Sequence, residues 1–495
     1  MGSETRQLHV FFIPFMAKGH TIPLTDIARL FSSRGIKSSI ISTPLNAPHL
    51  VESLAPDIQS GLDIGVLVIP FPSVEAGLPE GCETADKITS ADMFPRFFKA
   101  LGMLQPSFEK LLEKHRPDCV VSSLFLPWTT DSANKYGIPR IVFTGGSNFS
   151  MSVLENIKRY APQTNVGSDS EVFIVPGLPD EIEITKAQLP QRGEILKSDN
   201  PFFATMVRME ETEIKSLGVL VNSFYELEPS YVEYYIKDMG RRAWNIGPVS
   251  LCNRSSSTKA DRGMKATISE HHCLNWLKSK KPNTVLYVSF GSISRFSVAQ
   301  LHEIAMGLEA SQVSFIWVVR APGNKAKEEL LPQGFEERME GKGLVIRDWA
   351  PQVLILDHPS VGGFLTHCGW NSTLEGICAG VPFITWPVFA EQFLNEKHIT
   401  QVMKTGISAG NEVWSEWIEP KDVSVTKEKV EEVVNQLMGD TEEAYDIRMR
   451  AKELGVMAKR AVEEGGSSYN DLSSVINALR ENSEKLLQAH TTTSQ

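Results

Sequence analysis

Short apolar runs alternate with stretches of helical spacing along nearly the whole chain, and they do so in two separate series. Residues 8–15, 38–42, 64–71, 119–122, 141–143 and 219–221 form the first set of strand-like runs, and 284–290, 314–319, 344–346, 363–366 and 383–385 form the second. Brief strands that are apolar on both faces and joined through helices can satisfy burial only as parallel sheets covered on both sides. The predicted fold class is therefore α/β, with two Rossmann-like, doubly wound parallel-sheet domains facing a cleft. At 495 residues the chain also exceeds what one ordinary core organises.

Between the two series, C-N-R-S-S-S-T-K-A-D-R-G at 252–263 is polar and serine-rich, the composition of an exposed linker. The expected organisation is a first domain over 1–251, a linker over 252–268 and a second domain over 269–465. A C-terminal helix at 466–487 is expected to pack back on the first domain, and the polar residues 488–495 are expected to form a disordered tail.

Open parallel sheets bind ligands beyond the carboxyl ends of their strands, so candidate site residues belong at those ends. Trp349 follows the strand at 344–346, where a ring stacking on a base is worth about 1–3 kcal/mol. A lone tryptophan is more often core, but the Ala350 backbone beside it can pair with a pyrimidine edge. Strand 363–366 runs into His367-Cys368-Gly369-Trp370-Asn371-Ser372 and then a helix that Gly380 and Pro382 end. Unpaired amides at such a helix start, with donors on Asn371, Ser372 and His367, make an anion seat. Capping is the ordinary role of Asn371 or Ser372, yet it leaves His367 and Glu375 unexplained. Glu375 lies one turn on from Asn371, and a carboxylate accepts two hydrogen bonds from a vicinal diol such as ribose. Ser292, beyond strand 284–290, offers another phosphate donor, and Glu391 with Gln392 reach the cleft edge after strand 383–385.

The 44 residues from Trp349 to Gln392 resemble, without a gap, the signature box of plant secondary-product UDP-glycosyltransferases. That resemblance implies a GT-B fold, inverting transfer, no metal, and no cofactor beyond the co-substrate UDP-glucose. It assigns Trp349, Ala350 and Gln352 to uracil and ribose, His367, Asn371 and Ser372 to the phosphates, and Glu375 to ribose. Trp370, Glu391 and Gln392 fall to the hexose, and Trp370 with Gln392 resemble the glucose-using members. The second domain would then bind the UDP-sugar and the first the acceptor.

On the first domain, strand 8–15 ends in Met16-Ala17-Lys18-Gly19-His20, and Thr21-Ile22-Pro23 open a helix. A helix start disfavours imidazolium, leaving His20 neutral and able to take a proton near pH 7. A single histidine is structural by default, but G-H followed by I-P resembles the family's catalytic base. Relatives orient that base with an aspartate in A-D-x-F-x-P-W; here Ser122-Ser123-Leu124-Phe125-Leu126-Pro127-Trp128 puts Ser123 in the acid's place. A serine can hold a tautomer without stabilising the cation, a loss of about 10⁴ in rate in a hydrolase triad. Asp118 is about 16 Å away along the strand, and Asp131 is expected to cap the next helix or face solvent. Gly146 replaces a sugar-facing threonine of many relatives, with Thr144 as a substitute. These departures predict a mechanism suited to acidic hydroxyls such as phenols, or an impaired enzyme.

Phe15, Trp128, Phe149, Phe202, Phe203 and Phe389 are expected to line an apolar acceptor pocket for a flavonoid, phenolic, triterpenoid or steroid. The formal charge of −11 and the lack of a long basic run exclude nucleic acid as a partner. No apolar stretch reaches membrane-spanning length, no secretory signal opens the chain, and six scattered cysteines lack a C-x-x-C pair. A cytoplasmic monomer without membrane insertion is expected. A dehydrogenase lacks its G-x-G-x-x-G, and His302-Glu303 lacks the second histidine of H-E-x-x-H. The rival to a glucosyltransferase is a UDP-sugar-binding protein whose catalysis was impaired or lost with the acid.

Overall fold

The computed structural model describes residues 6–190, 201–264, 266–320, 330–415 and 423–492. Its first sheet uses β1 (His9–Ile13), β2 (Lys37–Ser42), β3 (Ile64–Val68), β4 (Cys119–Ser123), β5 (Arg140–Phe143), β8 (Gly218–Val221) and β9 (Ala243–Asn245). These lie parallel in the order β3-β2-β1-β4-β5-β8-β9, while β6 (Val172–Ile174) and β7 (Glu183–Thr185) form a small antiparallel ribbon outside it. The second sheet, β10 (Val285–Ser289), β11 (Ser314–Val319), β12 (Gly343–Arg347), β13 (Val361–Thr366), β14 (Phe383–Thr385) and β15 (Gly406–Ser408), is parallel in the order β12-β11-β10-β13-β14-β15. The edge strands β9 and β15, three residues each, were not among the strand-like runs read from the sequence.

Both sheets are buried on both faces, as their apolar strands require. Phe11 and Ile13 of β1 face a cluster with Leu101 and Phe108, while Val10 and Phe12 face Leu24 and Phe31 on the other side. In the second sheet Leu286 and Val288 meet Leu301 and Ile304, and Val285 and Tyr287 meet Phe364 and Leu374. Strand order fixes where a ligand can enter. From β1 the chain goes to β2 on one side and later returns to β4 on the other; β10 and β13 stand in the same relation in the second sheet. Crevices therefore open at the carboxyl ends of β1/β4 and β10/β13.

Two expectations about the connections need correction. The linker is not an exposed strap: a short helix, Ser256–Ala260, lies in it, Asn253 and Ala260 are buried, and the Arg262 side chain is 6% exposed. Asn253 finds its partner inside, its Nδ2 donating to Asp26 Oδ1 at 2.9 Å, while Lys259 Nζ ties the segment at the surface by donating to Asp357 Oδ2 at 2.5 Å. At the C-terminus, the helix Ser467–Thr492 continues past residue 488, where a disordered tail was expected, since no glycine or proline stops it. Residues 493–495 of that expected tail lie outside the described residues. Leu472, Val475, Ile476 and Leu479 of this helix enter the first sheet's core beside Val10, Phe12 and Trp244. Trp244 Nε1 donates to Ser474 Oγ at 3.2 Å and the Asn245 amide to Asp471 Oδ2 at 2.7 Å.

Candidate active site

His20 lies in the first turn of the helix Lys18–Ser32, just past β1, and its Nδ1 is 3.2 Å from Ser123 Oγ at the end of β4. The pair bridges the β1/β4 crevice. Ser123 Oγ also accepts the Phe125 amide at 3.3 Å, so an Nδ1–H that donates to it leaves Nε2 unprotonated. Phe15, Phe125 and Phe143 stand edge-on to the ring at centroid distances of 5.5, 5.4 and 5.9 Å. Burial among them pushes the imidazole down to about 4, so the cause of its neutrality is desolvation. Gly145, at φ +77°, lets the backbone cross the ring: a Cβ there would fall 2.7 Å from His20 Cε1.

Behind Ser123, buried Arg140 donates to Ser122 Oγ (2.7 Å), Thr130 Oγ1 (2.7 Å) and the Ser123 carbonyl (3.1 Å). Burial lowers this guanidinium to about 9. Asp118 is at the opposite end of β4, tied to Arg6 and the His9 amide, and Asp131 pairs with Arg208 at the surface. Neither reaches His20. Thr144 is no replacement for the missing threonine, because its buried hydroxyl turns back to the Gly146 carbonyl at 3.3 Å.

The opposite wall gathers at β10/β13. His367, Asn371, Ser372 and Glu375 follow β13, the last three on the helix Trp370–Ala379, and Ser292 follows β10. Cys368 takes a left-handed φ of 63° to turn the chain into that helix. The His367 ring is wedged between two glycines, since a Cβ at Gly291 (φ +74°) or Gly369 would come within 2.5 or 2.4 Å of Nε2. Burial holds His367 down at about 4, against a Ser289 backbone hydrogen bond that raises it. Gln352 Nε2 donates to Ser372 Oγ at 3.1 Å and Glu375 Oε2 at 2.6 Å, and Gln352 Oε1 accepts from the Tyr287 hydroxyl at 3.2 Å. Ala350 is buried beside Trp349, whose ring lies 5.7 Å from the Arg320 guanidinium. Glu391 precedes the helix Gln392–Lys397 and burial raises its carboxyl; Gln392 Oε1 accepts the Val388 and Phe389 amides at 2.9 and 3.1 Å.

Several candidates change role. The Trp370 ring is core, with its indole N–H donating 2.8 Å to the Asn222 carbonyl across the lobes, so only its backbone is left for a sugar. Trp128 is buried against Phe108, and Phe149 is fully buried and stacked on His398 at 4.4 Å. Both rings are packed in the interior. Phe15 and Phe202 belong instead to a chain of rings starting at His20: Phe15 meets Phe125 and Phe98, and Phe98 and Phe94 both meet Phe202. Phe203 is half-buried on the same helix as Phe202, and Phe389 is half-buried on the second lobe.

Residues 260–435 match the family described as UDP-glucoronosyl and UDP-glucosyl transferase. A UDP-glucose flavonoid 3-O-glucosyltransferase 7 from Fragaria ananassa is 52% identical over 97% of this chain and 98% of its own length. A scopoletin glucosyltransferase from Nicotiana tabacum is 51% identical over 95% of this chain and 97% of its own. The crystal structure of UGT73P12 from Glycyrrhiza uralensis, complexed with glycyrrhetinic acid 3-O-monoglucuronide, superposes with a TM-score of 0.91 at 40% identity, covering 99% of this chain and 100% of that one. The chain belongs to the plant UDP-glycosyltransferases.

The two facing parallel sheets of this glycosyltransferase are the GT-B arrangement. Four residues at the cleft went unread in the sequence. Phe125 and Phe98 join the aromatic wall, Arg320 follows β11 and donates to the Ser292 carbonyl at 3.2 Å, and Arg262 enters from the linker. Arg320 was findable, being a basic residue directly beyond a strand; Arg262 was hidden by its serine-rich surroundings. Among the described residues of the glycosyltransferase no helix is long and apolar enough to cross a membrane.

Proposed function

We propose that this glycosyltransferase moves glucose from UDP-glucose to a hydroxyl of a lipophilic small molecule, with inversion to the β-glucoside and His20 as general base. One observation carries the reading: a neutral imidazole, oriented through Nδ1 by Ser123 at 3.2 Å, opens the crevice that faces the β10/β13 wall. In the step proposed, the acceptor oxygen attacks the anomeric carbon as His20 Nε2 takes the hydroxyl proton. The bond from that carbon to the β-phosphate oxygen breaks, and UDP leaves with the electron pair. The helix start at Trp370–Ala379, His367, Asn371, Ser372 and Ser292 would stabilise the diphosphate. Trp349, Ala350 and Gln352 would hold uracil and ribose, Glu375 the ribose diol, and Glu391, Gln392 and the Trp370 backbone the hexose. UDP-glucose enters as co-substrate, and no further cofactor takes part.

Glucose is supported by the glucosyltransferase names of the two relatives, and lipophilic acceptors by the flavonoid and scopoletin in those names together with the glycyrrhetinic acid 3-O-monoglucuronide bound by the solved relative. The ring chain Phe15, Phe125, Phe98, Phe94 and Phe202 beside His20, packed mostly edge to face, is an apolar wall of the kind such acceptors need. Because Ser123 cannot stabilise the imidazolium, acceptors that lose their proton readily, phenols above aliphatic alcohols, would be preferred. The same serine is the ground for a second reading, a UDP-sugar-binding protein with little turnover.

Glucosylation of a panel of phenols and triterpenoid alcohols by the parent, His20→Ala and Ser123→Asp proteins decides between them. Substantial parental turnover abolished in His20→Ala supports the enzyme. A near-inactive parent rescued by Ser123→Asp supports the binding protein, and failure of UDP-glucose to stabilise the parent thermally rejects both.

A further inference from the structure

Between the two lobes a single guanidinium joins two buried carboxylates. Arg262 Nε donates to Asp26 Oδ2 at 2.8 Å on the His20 helix, and its Nη1 donates to Glu375 Oε1 on the opposite wall. All three side chains are at most 6% exposed. Glu375 thus has one oxygen on Arg262 and the other on Gln352, at 2.6 Å. The neighbouring Gly263, at φ +93°, threads the linker backbone through a gap no larger residue fits: a Cβ there would fall 2.7 Å from Trp349 Cζ2 and 2.6 Å from Ile22 Cδ1. Beyond it, the Thr267 amide donates to the Trp349 carbonyl at 3.0 Å.

We propose that Arg262 is a cross-cleft clamp which occupies the nucleoside seat in the free enzyme and which the donor must displace. The inference rests on the reading of Glu375 as the ribose acceptor. A ribose diol reaches so covered a carboxylate only when the guanidinium leaves it. Release is asymmetric: Asp26 keeps Arg29 Nη1 at 3.1 Å and Asn253 Nδ2 at 2.9 Å, whereas among the described residues Glu375 keeps only the hydrogen bond from the Gln352 amide. A buried carboxylate stripped of its cation is costly, and the two ribose hydroxyls replace what it lost. The linker is then a gate: the free enzyme is held with its lobes tied at Arg262, and nucleotide binding exchanges that tie for its own hydrogen bonds. Donor affinity is reduced by the fraction of molecules in which the clamp is closed.

Calorimetric titration of UDP into the parent and Arg262→Met proteins tests this. The expected result is a Kd for UDP lower in the variant by about tenfold, since the closed state no longer competes. An unchanged or raised Kd overturns the clamp and makes Arg262 a structural or ligand-holding residue. Hydrogen exchange on the parent gives a second reading that needs no variant. UDP is expected to raise exchange over residues 256–264 while protecting 366–375; protection of both segments overturns the clamp. If the parent binds no UDP and 366–375 is unaffected, the nucleotide site itself has been misassigned.

Discussion

Asn371 Nδ2 donates to the carbonyl of Gly19 over 2.7 Å, so the helix that starts the proposed diphosphate seat touches the residue preceding the proposed base. The two switch-point crevices are therefore one site. Asn222, just beyond β8, reinforces the joint by donating from Nδ2 to Asn371 Oδ1 at 3.4 Å and by accepting the Trp370 indole on its carbonyl.

Replacing Ser123 with aspartate should raise kcat by about tenfold or more, because a carboxylate stabilises the imidazolium formed in the step. The same charge favours the protonated ring, so the acid limb of kcat/KM, set near 4 by burial, should move upward toward 6.5. The gain should be larger for an alkyl alcohol than for a phenol. Buried Arg140, bonded to the Ser123 carbonyl, already supplies a cation behind this strand end. A pH–rate profile of both proteins on both acceptors checks the prediction; an unmoved limb refutes it.

Gly145→Ala should lower kcat by about 10² while leaving UDP affinity near its parental value. The left-handed backbone at φ +77° and the 2.7 Å approach to His20 Cε1 leave the new methyl no room unless the imidazole moves. Steady-state kinetics beside UDP titration separates the two effects, and equal loss in both would point to unfolding instead.

Trp370→Phe should cost about 1–3 kcal/mol of stability by leaving the buried Asn222 carbonyl without its donor. Turnover should survive within a few-fold, because the indole does not face the cleft. A collapse of activity at unchanged melting temperature would restore the ring to the hexose site.

Acid should destabilise the fold early. His9, His20 and His367 are held near 4 and His398 near 3, each chiefly by burial. A histidine with a depressed folded value contributes stability that is complete above its unfolded value of about 6.5 and is lost as pH falls toward the folded one. Unfolding between pH 6.5 and 4 should take up protons, and denaturant midpoints measured across that window should fall steadily. A flat profile would mean these rings are hydrated in solution.

What the sequence disclosed was whatever depends on a strand end followed by a turn. The positions of His20, Trp349, His367, Asn371, Ser372 and Glu375 just beyond strand ends were legible on that rule, because short apolar strands fix their neighbours' direction locally. Trp370 and Phe149 were misread, since whether a large ring faces a cleft or the other lobe depends on the docking of two domains, which no local period encodes. Arg262 was invisible for a related reason. Its partners Asp26 and Glu375 are 236 and 113 positions away, and the polar residues around it have the composition of a solvated loop.

The final helix packs Leu472, Val475, Ile476 and Leu479 beneath the strand with which the chain began. A protease cut in the linker, or expression of residues 1–251 alone, would therefore strip the amino-terminal half of part of its own floor. Shortening the carboxyl end should therefore destabilise the first sheet, and the His20 wall it carries, before the second sheet.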